Sequence, residues 1–303
     1  MGNELVSVVL CTYNGMAFID DQVKTICNQT YTNLEIIIVD DHSTDGTYEK
    51  LKTHSAKDPR IRLFQNEKNV GFNLNFNRAC SLTTGSYIAI ADQDDVWELN
   101  KIEVLLNEID RDENIVLVHS ISARFEKDNK PSIKSVRLVD YFEGNDVKKF
   151  FMFNSISGHN MLARKRLIEA ALPFPSTVYY DWWLAAIACS IGEISHVNKI
   201  LVWHRMHETN ATGAGKPILP FYKQIQTILP VVLEKGNIKK ADKTFGEKLL
   251  NFYKQFPEKK FSFPLFTFLL MHAKTVFAHK KRKLPWFSYI KGAFKYSLRS
   301  SKA

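Results

Sequence analysis

Residues 87–97 read YIAIADQDDVW, a short apolar run that leads directly into three carboxylates. The run Tyr87–Ala91 has the length and composition of a strand that is covered on both faces. Asp92, Asp94 and Asp95 then crowd like charges at its end, which costs free energy unless a cation or a positive ligand compensates them. Carboxylate oxygens are ligands that Mg²⁺ or Mn²⁺ prefers, and such an ion suits a diphosphate. The stretch therefore indicates a nucleotide-linked substrate at the end of a buried strand.

Apolar runs and helical patterns alternate through the first 120 residues, on either side of this stretch. Such a βαβα order predicts a mostly parallel sheet with helices on both faces, because parallel strands need crossover connections. We therefore expect an α/β fold of the Rossmann-like kind. Strands are predicted at residues 6–11, 35–39, 61–64, 87–91 and 115–120, and helices are predicted to end near residues 28, 55, 81 and 111.

Polar clusters follow three of the predicted strands. In open parallel sheets, ligands bind outside the carboxyl ends of the strands, so all three clusters should lie on one rim. Each cluster alone is as compatible with a solvated loop or a helix cap as with a site, but their convergence favours a ligand site. The clusters are Thr12-Tyr13-Asn14, Asp40-Asp41 and the carboxylates of residues 92–95.

The composition is that of a folded protein whose basic charge is concentrated at one end. Of the 303 residues, 45% are hydrophobic and 24% are charged, which excludes a disordered chain. The formal net charge is +9, yet residues 239–303 alone carry 16 Lys/Arg against 3 Asp/Glu. The four cysteines form no CxxC pair, so we expect free thiols in place of a zinc site or disulfides.

Two common phosphate-binding motifs are absent from the sequence. The first strand is not followed by Gly-x-Gly-x-x-Gly, which disfavours a dinucleotide site, and no Walker lysine loop occurs. A diphosphate would therefore need another anchor, and Asp92 and Asp94 with a metal ion provide one.

Three motifs together resemble those of family 2 glycosyltransferases with the GT-A fold. They are VVLCTYNG at residues 8–15, IVDDHSTDGT at residues 38–47 and ADQDDVW at residues 91–97. The motifs occur in the family's order, and the resemblance extends over about residues 5–210. The Asp-Gln-Asp-Asp-x-Trp form is also similar to bacterial rhamnosyltransferase-like members that build surface polysaccharides.

The resemblance implies a plan for the whole chain. Residues 1–215 would form the GT-A catalytic domain, a mostly parallel sheet flanked by helices. Within it, residues 1–120 would bind the nucleotide sugar and residues 121–215 would bind the acceptor. Residues 216–303 would form a basic helical extension.

The resemblance also implies the metal and nucleotide ligands. The Asp-x-Asp pair maps to Asp92 and Asp94, which would hold Mn²⁺ or Mg²⁺ on the diphosphate, and His207 would be a third ligand. A packed histidine is the alternative for His207. The carboxylate of Asp41 suits the imide N–H of uracil or thymine. The implied nucleotide-binding residues are Thr12, Tyr13, Asn14, Asp41 and Asp92.

A candidate general base lies farther along the chain. Asp181 stands between aromatic residues, and similar family members keep a base at this place. A partly desolvated aspartate has a raised pKa, which makes it a better base for an acceptor hydroxyl. An aspartate that caps the helix beginning at Trp182 is the alternative, and both roles can hold together. The other residues expected to contact substrate are Asp95, Gly158, His159, Trp182 and Arg205. For Asp95, a further metal ligand and a helix N-cap before Trp97 are the alternatives.

The implied activity is inverting, metal-dependent sugar transfer. The donor would be a nucleotide diphosphate sugar, either dTDP-rhamnose or a UDP-sugar, and the acceptor a lipid-linked glycan in polysaccharide, O-antigen or capsule synthesis. The enzyme alternative is a nucleotidyltransferase, which would be expected to show a Gly-rich loop with a basic residue after the first strand. A non-catalytic carbohydrate-binding protein is the alternative of a different class, and it would need no site for a diphosphate and a metal.

The C-terminal extension mixes basic and aromatic residues. This mixture suits the surface of an anionic membrane, and a solvated helix with packed aromatics is the alternative. Nucleic-acid binding would leave the acidic strand ends unexplained, so we expect no nucleic-acid partner. With no apolar run long enough to span a bilayer, we expect a cytoplasmic protein at the inner face of the cell membrane. Residues 280–283 read KKRK and are followed by Trp286, Phe287, Tyr289, Phe294 and Tyr296.

Overall fold

One eight-stranded sheet organises the protein. The computed structural model describes residues 3–125, 136, 140–207, 220–255, 261–279 and 283–298. The strands are β1 (Val6–Thr12), β2 (Leu34–Asp40), β3 (Ile61–Gln65), β4 (Tyr87–Ala91), β5 (Val96–Trp97), β6 (Ile115–Phe125), β7 (Met161–Arg164) and β8 (Glu193–Arg205). The helices are α1 (Ile19–Cys27), α2 (Thr47–Ser55), α3 (Phe72–Ser81), α4 (Lys101–Ile109), α5 (Lys165–Ala171), α6 (Tyr180–Ile191), α7 (Phe221–Lys235), α8 (Lys240–Lys254), α9 (Phe263–Met271), α10 (Ala273–Val276) and α11 (Pro285–Tyr296).

The first four strands pair in parallel, as the alternation of strands and helices predicts. β1 lies between β2 and β4, and β3 pairs with the other edge of β2. β7 then pairs antiparallel with both β4 and β6, and β8 runs parallel to β6. The short strand β5 closes the order β3-β2-β1-β4-β7-β6-β8-β5 as an antiparallel partner of β8. The predicted mostly parallel sheet flanked by helices is therefore confirmed.

β1, β2 and β4 are buried along their whole length, because helices cover both faces of the sheet. Alternate residues of β1 serve the two faces. Val6, Val8 and Leu10 join one apolar core with residues of α1 and α4, whereas Val9 and Cys11 join the other. Continuous apolar runs are what such doubly covered strands need. The core fixes the strands, and their carboxyl ends carry the site.

The C-terminal helices pack onto the part of the chain that forms the sheet, and they share its larger core. Ile225 of α7 and Leu249 of α8 belong to the same apolar cluster as Trp183 of α6. Lys148, in the helical turn at residues 147–150, reaches the carboxylate of Asp242 in α8 at 2.7 Å. The extension is therefore an integral part of the fold. The boundary predicted at residue 215 lies outside the described residues.

The four cysteines are free thiols, as the absence of a CxxC pair predicts. Cys11, Cys80 and Cys189 are buried, and burial raises the pKa of each thiol. These side chains therefore act as small apolar residues of the core, because the reactive thiolate is disfavoured.

Candidate active site

The carboxyl ends of β1, β2 and β4 meet at one rim of the sheet. Parallel pairing sets Thr12 beside Asp40 and Leu10 beside Ala91, so the residues that follow these strands become neighbours. The three polar clusters predicted from the sequence therefore lie together. The loops after β1 and β2 form a hydrogen-bonded network at this rim. Beside it, the carboxylates that follow β4 lie close to histidines from other elements.

Thr12 and Asn14 hold the loop after β1 in shape. The Thr12 hydroxyl donates to the buried carboxylate of Asp40 at 2.9 Å. Asn14 has a positive φ of 49°, and its side-chain oxygen accepts a hydrogen bond from the Thr44 amide at 2.9 Å. Between these anchored residues Tyr13 projects outward and is 47% exposed. Asn14 is also exposed, so a ligand can reach the side chains of Tyr13 and Asn14 but not that of Thr12.

Asp41 is buried and bonded within the protein. Its carboxylate accepts hydrogen bonds from the Asn66 side chain at 2.7 Å and from the amides of Val70 and Gly71 at 2.9 Å each. These bonds fasten the loop before α3 to the end of β2. The residue is 2% exposed. Asp41 thus shapes the rim through three of its own hydrogen bonds.

The sequence pattern assigns no role to Gln93, but the structure does. The side-chain oxygen of Gln93 accepts from the Tyr13 amide at 2.8 Å, and its side-chain nitrogen donates to the Tyr13 carbonyl at 3.0 Å. A Cβ atom at Gly15 would collide with the same side chain. Gln93 therefore ties the acidic loop to the loop after β1. Its place inside the Asp-x-Asp motif is the signal that points to it.

Each of the three carboxylates after β4 meets a different histidine. This happens because the turn at residues 158–160 packs against β4, and β8 pairs with the short strand that follows the acidic loop. His204 has no role in the sequence interpretation, although its place in the WHRMH run at residues 203–207 is a signal. The pairs are Asp92 with His159 at 3.1 Å, Asp94 with His207 at 2.7 Å and Asp95 with His204 at 3.0 Å.

The electrostatics of this cluster favour an added cation. Burial raises the pKa of Asp94, and the neighbouring carboxylates of Asp95 and Asp92 raise it further. Burial also opposes the protonation of His159, but the same two carboxylates raise its pKa to about 9, so the ring is charged at neutral pH. Burial would raise the pKa of Asp92, but the hydrogen bond and charge of His159 outweigh it and lower the pKa. Asp94 is therefore the carboxylate whose repulsion an ion would relieve.

Asp92, Asp94 and His207 have the side-chain chemistry for the divalent ion that the fold implies, and the ligand atoms of Asp94 and His207 lie 2.7 Å apart. Two carboxylates and an imidazole are ligands that Mn²⁺ accepts, and the crowding that raises the pKa of Asp94 is what an ion would remove. Asp92 keeps 34% of its side chain exposed, so a diphosphate can approach it. His207 is held by stacking on Phe18, with the ring centroids 4.3 Å apart. These three residues would hold the ion.

Arg205 is tied to the acidic loop. Its Nε donates to the Asp94 carbonyl at 3.0 Å, and a terminal nitrogen pairs with Asp21 at 2.8 Å. The guanidinium also lies over the rings of Phe125 and Phe18. Arg205 therefore stabilises the backbone that presents Asp94, and it brings a positive charge next to the carboxylates.

Asp181 lies in the first turn of α6. Burial raises the pKa of Asp181 to about 6, and the negative charge of Asp92 also raises it. The Trp182 amide donates to Oδ1 at 2.7 Å, and this hydrogen bond lowers the pKa in part. The charges of Asp92 and His159 both act on this carboxyl, so it lies within electrostatic reach of the acidic cluster. At neutral pH such a group is mostly ionised, yet it is basic enough to accept a proton from a hydroxyl.

Gly158 and Trp182 serve the packing around Asp181. A Cβ atom at Gly158 would collide with the hydroxyl of the buried Tyr180, so the glycine makes room for that ring. Trp182 is buried, and its indole N–H donates to the Phe150 carbonyl at 2.6 Å. The structure therefore places most of Trp182 in the core, and its contact with substrate stays a prediction. The helical turn directs it inward, whereas its neighbour Asp181 stays only partly buried.

An exposed aromatic pair borders the start of α6. Tyr179 is 49% exposed and stacks on Phe72, with ring centroids 5.8 Å apart. Asn73 donates to the Val178 carbonyl at 2.6 Å and accepts from the first amide of α6 at 3.0 Å. Asn73 therefore fastens this loop and the helix that carries Asp181 to α3. Neither Phe72 nor Asn73 shows a motif in the sequence that would reveal these roles.

Comparison with known proteins identifies the family. Residues 7–172, more than half of the chain, match the family model "Glycosyl transferase family 2". An uncharacterized glycosyltransferase of Haemophilus influenzae is 30% identical over 214 residues, which cover 67% of this chain and 66% of that protein. The Escherichia coli protein WfgD, a UDP-Glc:alpha-D-GlcNAc-diphosphoundecaprenol beta-1,3-glucosyltransferase, is 35% identical over 107 residues, which cover 35% of this chain and 42% of that protein. The chain thus spans less than two thirds of the length of these relatives.

A solved structure shares the fold. TarS 1-349 from S. aureus, in complex with UDP-GlcNAc, has a TM-score of 0.63 and 17% identity, with 89% of this chain and 81% of that chain covered. At this identity the likeness shows the fold alone. Together with the family match and the acidic loop at the end of β4, it leads to one conclusion: this chain belongs to glycosyl transferase family 2 and has the GT-A fold.

Proposed function

We propose that this chain transfers a sugar from a nucleotide diphosphate sugar to an acceptor hydroxyl, with inversion at the anomeric carbon. The observation that carries the proposal is the carboxyl of Asp181, which has a pKa of about 6 and lies within electrostatic reach of the acidic cluster. Asp181 would accept the proton of the acceptor hydroxyl as its oxygen attacks the sugar. One base and one displacement produce inversion. A divalent ion held by Asp92, Asp94 and His207 would supply Lewis-acid stabilisation of the leaving diphosphate.

The proposed donor carries a pyrimidine base, as a UDP-sugar or dTDP-rhamnose does. The exposed ring of Tyr13 can stack on such a base. A carboxylate has about four acceptor positions, and Asp41 uses three of them, which leaves one for an imide N–H. TarS 1-349, which shares the fold, was solved with UDP-GlcNAc, and this supports a uridine donor.

The proposed acceptor is a lipid-linked glycan in the synthesis of a surface polysaccharide such as an O-antigen or a capsule. The acceptor in the name of WfgD is a sugar linked to diphosphoundecaprenol, and this relative supports an acceptor of the same class. The exposed pair Phe72 and Tyr179 gives an apolar surface beside Asp181, on which one face of a sugar ring can rest. His159 and Asp95 would border the acceptor from the side of the acidic loop.

The C-terminal helices are the proposed contact with the inner face of the cell membrane. Within the described ranges, no helix combines the length and the apolar character needed to cross a bilayer. Lys291 and Lys295 lie on α11 among exposed aromatic rings, and this mixture suits the interface of an anionic bilayer. Residues 280–282 lie outside the described residues. The exposed apolar side chains of α9 and α11 are Phe263, Met271, Trp286, Phe287 and Phe294.

A panel of nucleotide sugars tests the proposal. With Mn²⁺ and an undecaprenyl-diphosphate-linked sugar, the purified protein should release nucleoside diphosphate from a UDP-sugar or from dTDP-rhamnose. Proton NMR of the product should show an anomeric configuration opposite to that of the donor. Retention of configuration would contradict the role of Asp181. Release of pyrophosphate in place of nucleoside diphosphate would identify a nucleotidyltransferase.

A further inference from the structure

Three metal-ligating side chains form a second group at the acidic loop. Asp95, His159 and His204 bring their coordinating atoms within 4.8 Å of one another. The side chain of Asp95 is fully buried, and those of His159 and His204 are 9% and 22% exposed. None of them is a ligand in the site proposed for the diphosphate ion. The group adjoins that site, because His159 Nδ1 also lies 3.1 Å from Asp92.

One oxygen of Asp95 has no hydrogen-bond partner among the described residues. Oδ1 lies 3.0 Å from His204 Nδ1 and accepts from the Arg205 amide at 3.3 Å. Oδ2 is buried and makes no hydrogen bond, and His159 Nδ1, with which it forms an ion pair when the ring is protonated, lies 3.5 Å away. Lys101, which is also buried here, donates to the His159 carbonyl at 2.7 Å. A buried carboxylate oxygen without a partner costs free energy, so a bound cation would stabilise this arrangement.

The two imidazoles are oriented toward the same carboxylate. The rings of His159 and His204 stack with centroids 5.0 Å apart and 14° between their planes. Nδ1 of His204 lies 3.0 Å from Asp95, and Nδ1 of His159 lies between Asp92 at 3.1 Å and Asp95 at 3.5 Å. The Nε2 atom of His159 lies 2.9 Å from the Ser122 hydroxyl. In the metal-free protein both ring nitrogens of His159 carry protons, so an ion would have to displace the proton of Nδ1. The Nε2–H bond to Ser122 would remain and would hold the ring with Nδ1 toward the ion.

The spacing of these atoms matches a coordination shell. Ligands bonded to one ion at about 2.0–2.1 Å stand about 3.0–3.4 Å from one another. The two distances from Nδ1 atoms to the Asp95 carboxylate, 3.0 and 3.5 Å, are close to this range. We propose that Asp95, His159 and His204 bind a second divalent ion. Because two of the three ligands are imidazole nitrogens, the ion would be a transition metal such as Zn²⁺ or Mn²⁺ and not Mg²⁺.

Zn²⁺ uptake by the full-length protein, measured without any nucleotide, tests the proposal. Chelator-stripped protein is dialysed against Zn²⁺, and the bound metal is quantified by elemental analysis. His204→Gln should bind one Zn²⁺ per chain fewer than wild type, whereas Asp94→Ala should retain the ion at the Asp95 group. Ser122→Ala should weaken Zn²⁺ binding by about 10–100-fold, because it removes the partner that orients His159. An excess of Mg²⁺ should not displace the Zn²⁺.

His54→Gln is the matched control, because His54 also pairs with an aspartate, Asp20, at 2.8 Å but lies outside the cluster. Its Zn²⁺ uptake should equal that of wild type. Equal uptake by wild type and His204→Gln, or complete loss in Asp94→Ala, would overturn the proposal. Protonated His159 would then be the cation that balances Asp95. If circular dichroism shows that His204→Gln does not fold, Ser122→Ala decides the question. No readout needs a donor, so a failure here is distinct from a failure of sugar transfer.

Discussion

At the scale of the residue, the surroundings of Asp94 disfavour its negative charge, so that charge does not stabilise the fold. Burial and the neighbouring carboxylates raise its pKa, so its ionised form is disfavoured in the folded protein. Asp58 shows the opposite case. Its hydrogen bond with Arg60 lowers its pKa to about 2, so its charge stabilises the fold at neutral pH. Two aspartates of one chain thus respond to the same substitution in opposite ways.

Asp94→Ala should abolish metal-dependent transfer without lowering the thermal unfolding temperature, because it removes a repelled charge. Asp58→Ala is the control, and it should lower the unfolding temperature while transfer at low temperature stays normal. Nucleoside diphosphate release with Mn²⁺ and a thermal melt measure the two effects. Full transfer by Asp94→Ala in the presence of a chelator would contradict the metal role.

Asp181→Asn keeps the size of the side chain but removes its basicity. The variant should lower kcat by about 10²–10⁴-fold, the usual effect of a lost general base, with donor KM unchanged. In the wild type, kcat should rise as the pH increases through about 6, because a protonated Asp181 cannot accept a proton. The variant should lack this rise. A loss of donor affinity with kcat unchanged at saturation would make Asp181 a binding residue instead.

At the scale of the element, the start of α6 depends on α3. Asn73 of α3 bonds both to the loop before α6 and to the first amide of that helix. Asn77, one helical turn later, bonds to the Phe174 amide at 2.7 Å in the same loop but not to α6. Substituting Asn73 and Asn77 one at a time therefore distinguishes the stability of the loop from the placement of Asp181.

Asn73→Ala should lower the free energy of unfolding by about 1–3 kcal/mol, since it leaves buried polar groups unpaired. It should also lower kcat, because the helix that carries Asp181 loses its anchor. Asn77→Ala should cost similar stability and keep kcat near wild type. Chemical denaturation and steady-state kinetics at saturating donor give both values. An equal loss of kcat in the two variants would show that loop stability alone controls the rate.

At the scale of the whole molecule, the C-terminal helices have an inner face that packs in the core and an outer face that we propose contacts the membrane. Their inner face supplies Leu249, Tyr253 and Leu265 to the core shared with the catalytic part. Removal of the chain after residue 235 would therefore expose that core, so a membrane contact has to be tested by changes on the outer face. Trp286 is suited to this test, because it is 64% exposed.

Trp286→Glu together with Phe287→Glu should abolish binding to vesicles that contain phosphatidylglycerol, because it places charge where aromatic rings would enter the interface. Leu99→Glu is the matched control, since Leu99 is an exposed apolar residue between β5 and α4, and it should bind as wild type does. Cosedimentation measures binding, and high salt should release the wild type. Unchanged binding of the double variant would contradict the membrane role of α11.

The amino-acid sequence by itself determined the parallel strands β1 to β4, the three polar strand ends and the family, because apolar periodicity and contiguous motifs are local properties of a chain. It did not predict β5, β7 and β8 or their antiparallel pairings. It also placed the acidic loop and Asp181. Only the tertiary structure decided which histidine meets each carboxylate, since the partners are 67, 109 and 113 residues apart. It likewise decided that Trp182 is buried, that Asp41 bonds within the protein and that the basic extension belongs to the core. Those outcomes depend on how β7, β8 and the C-terminal helices pack against the first half, and no short stretch of sequence encodes such packing.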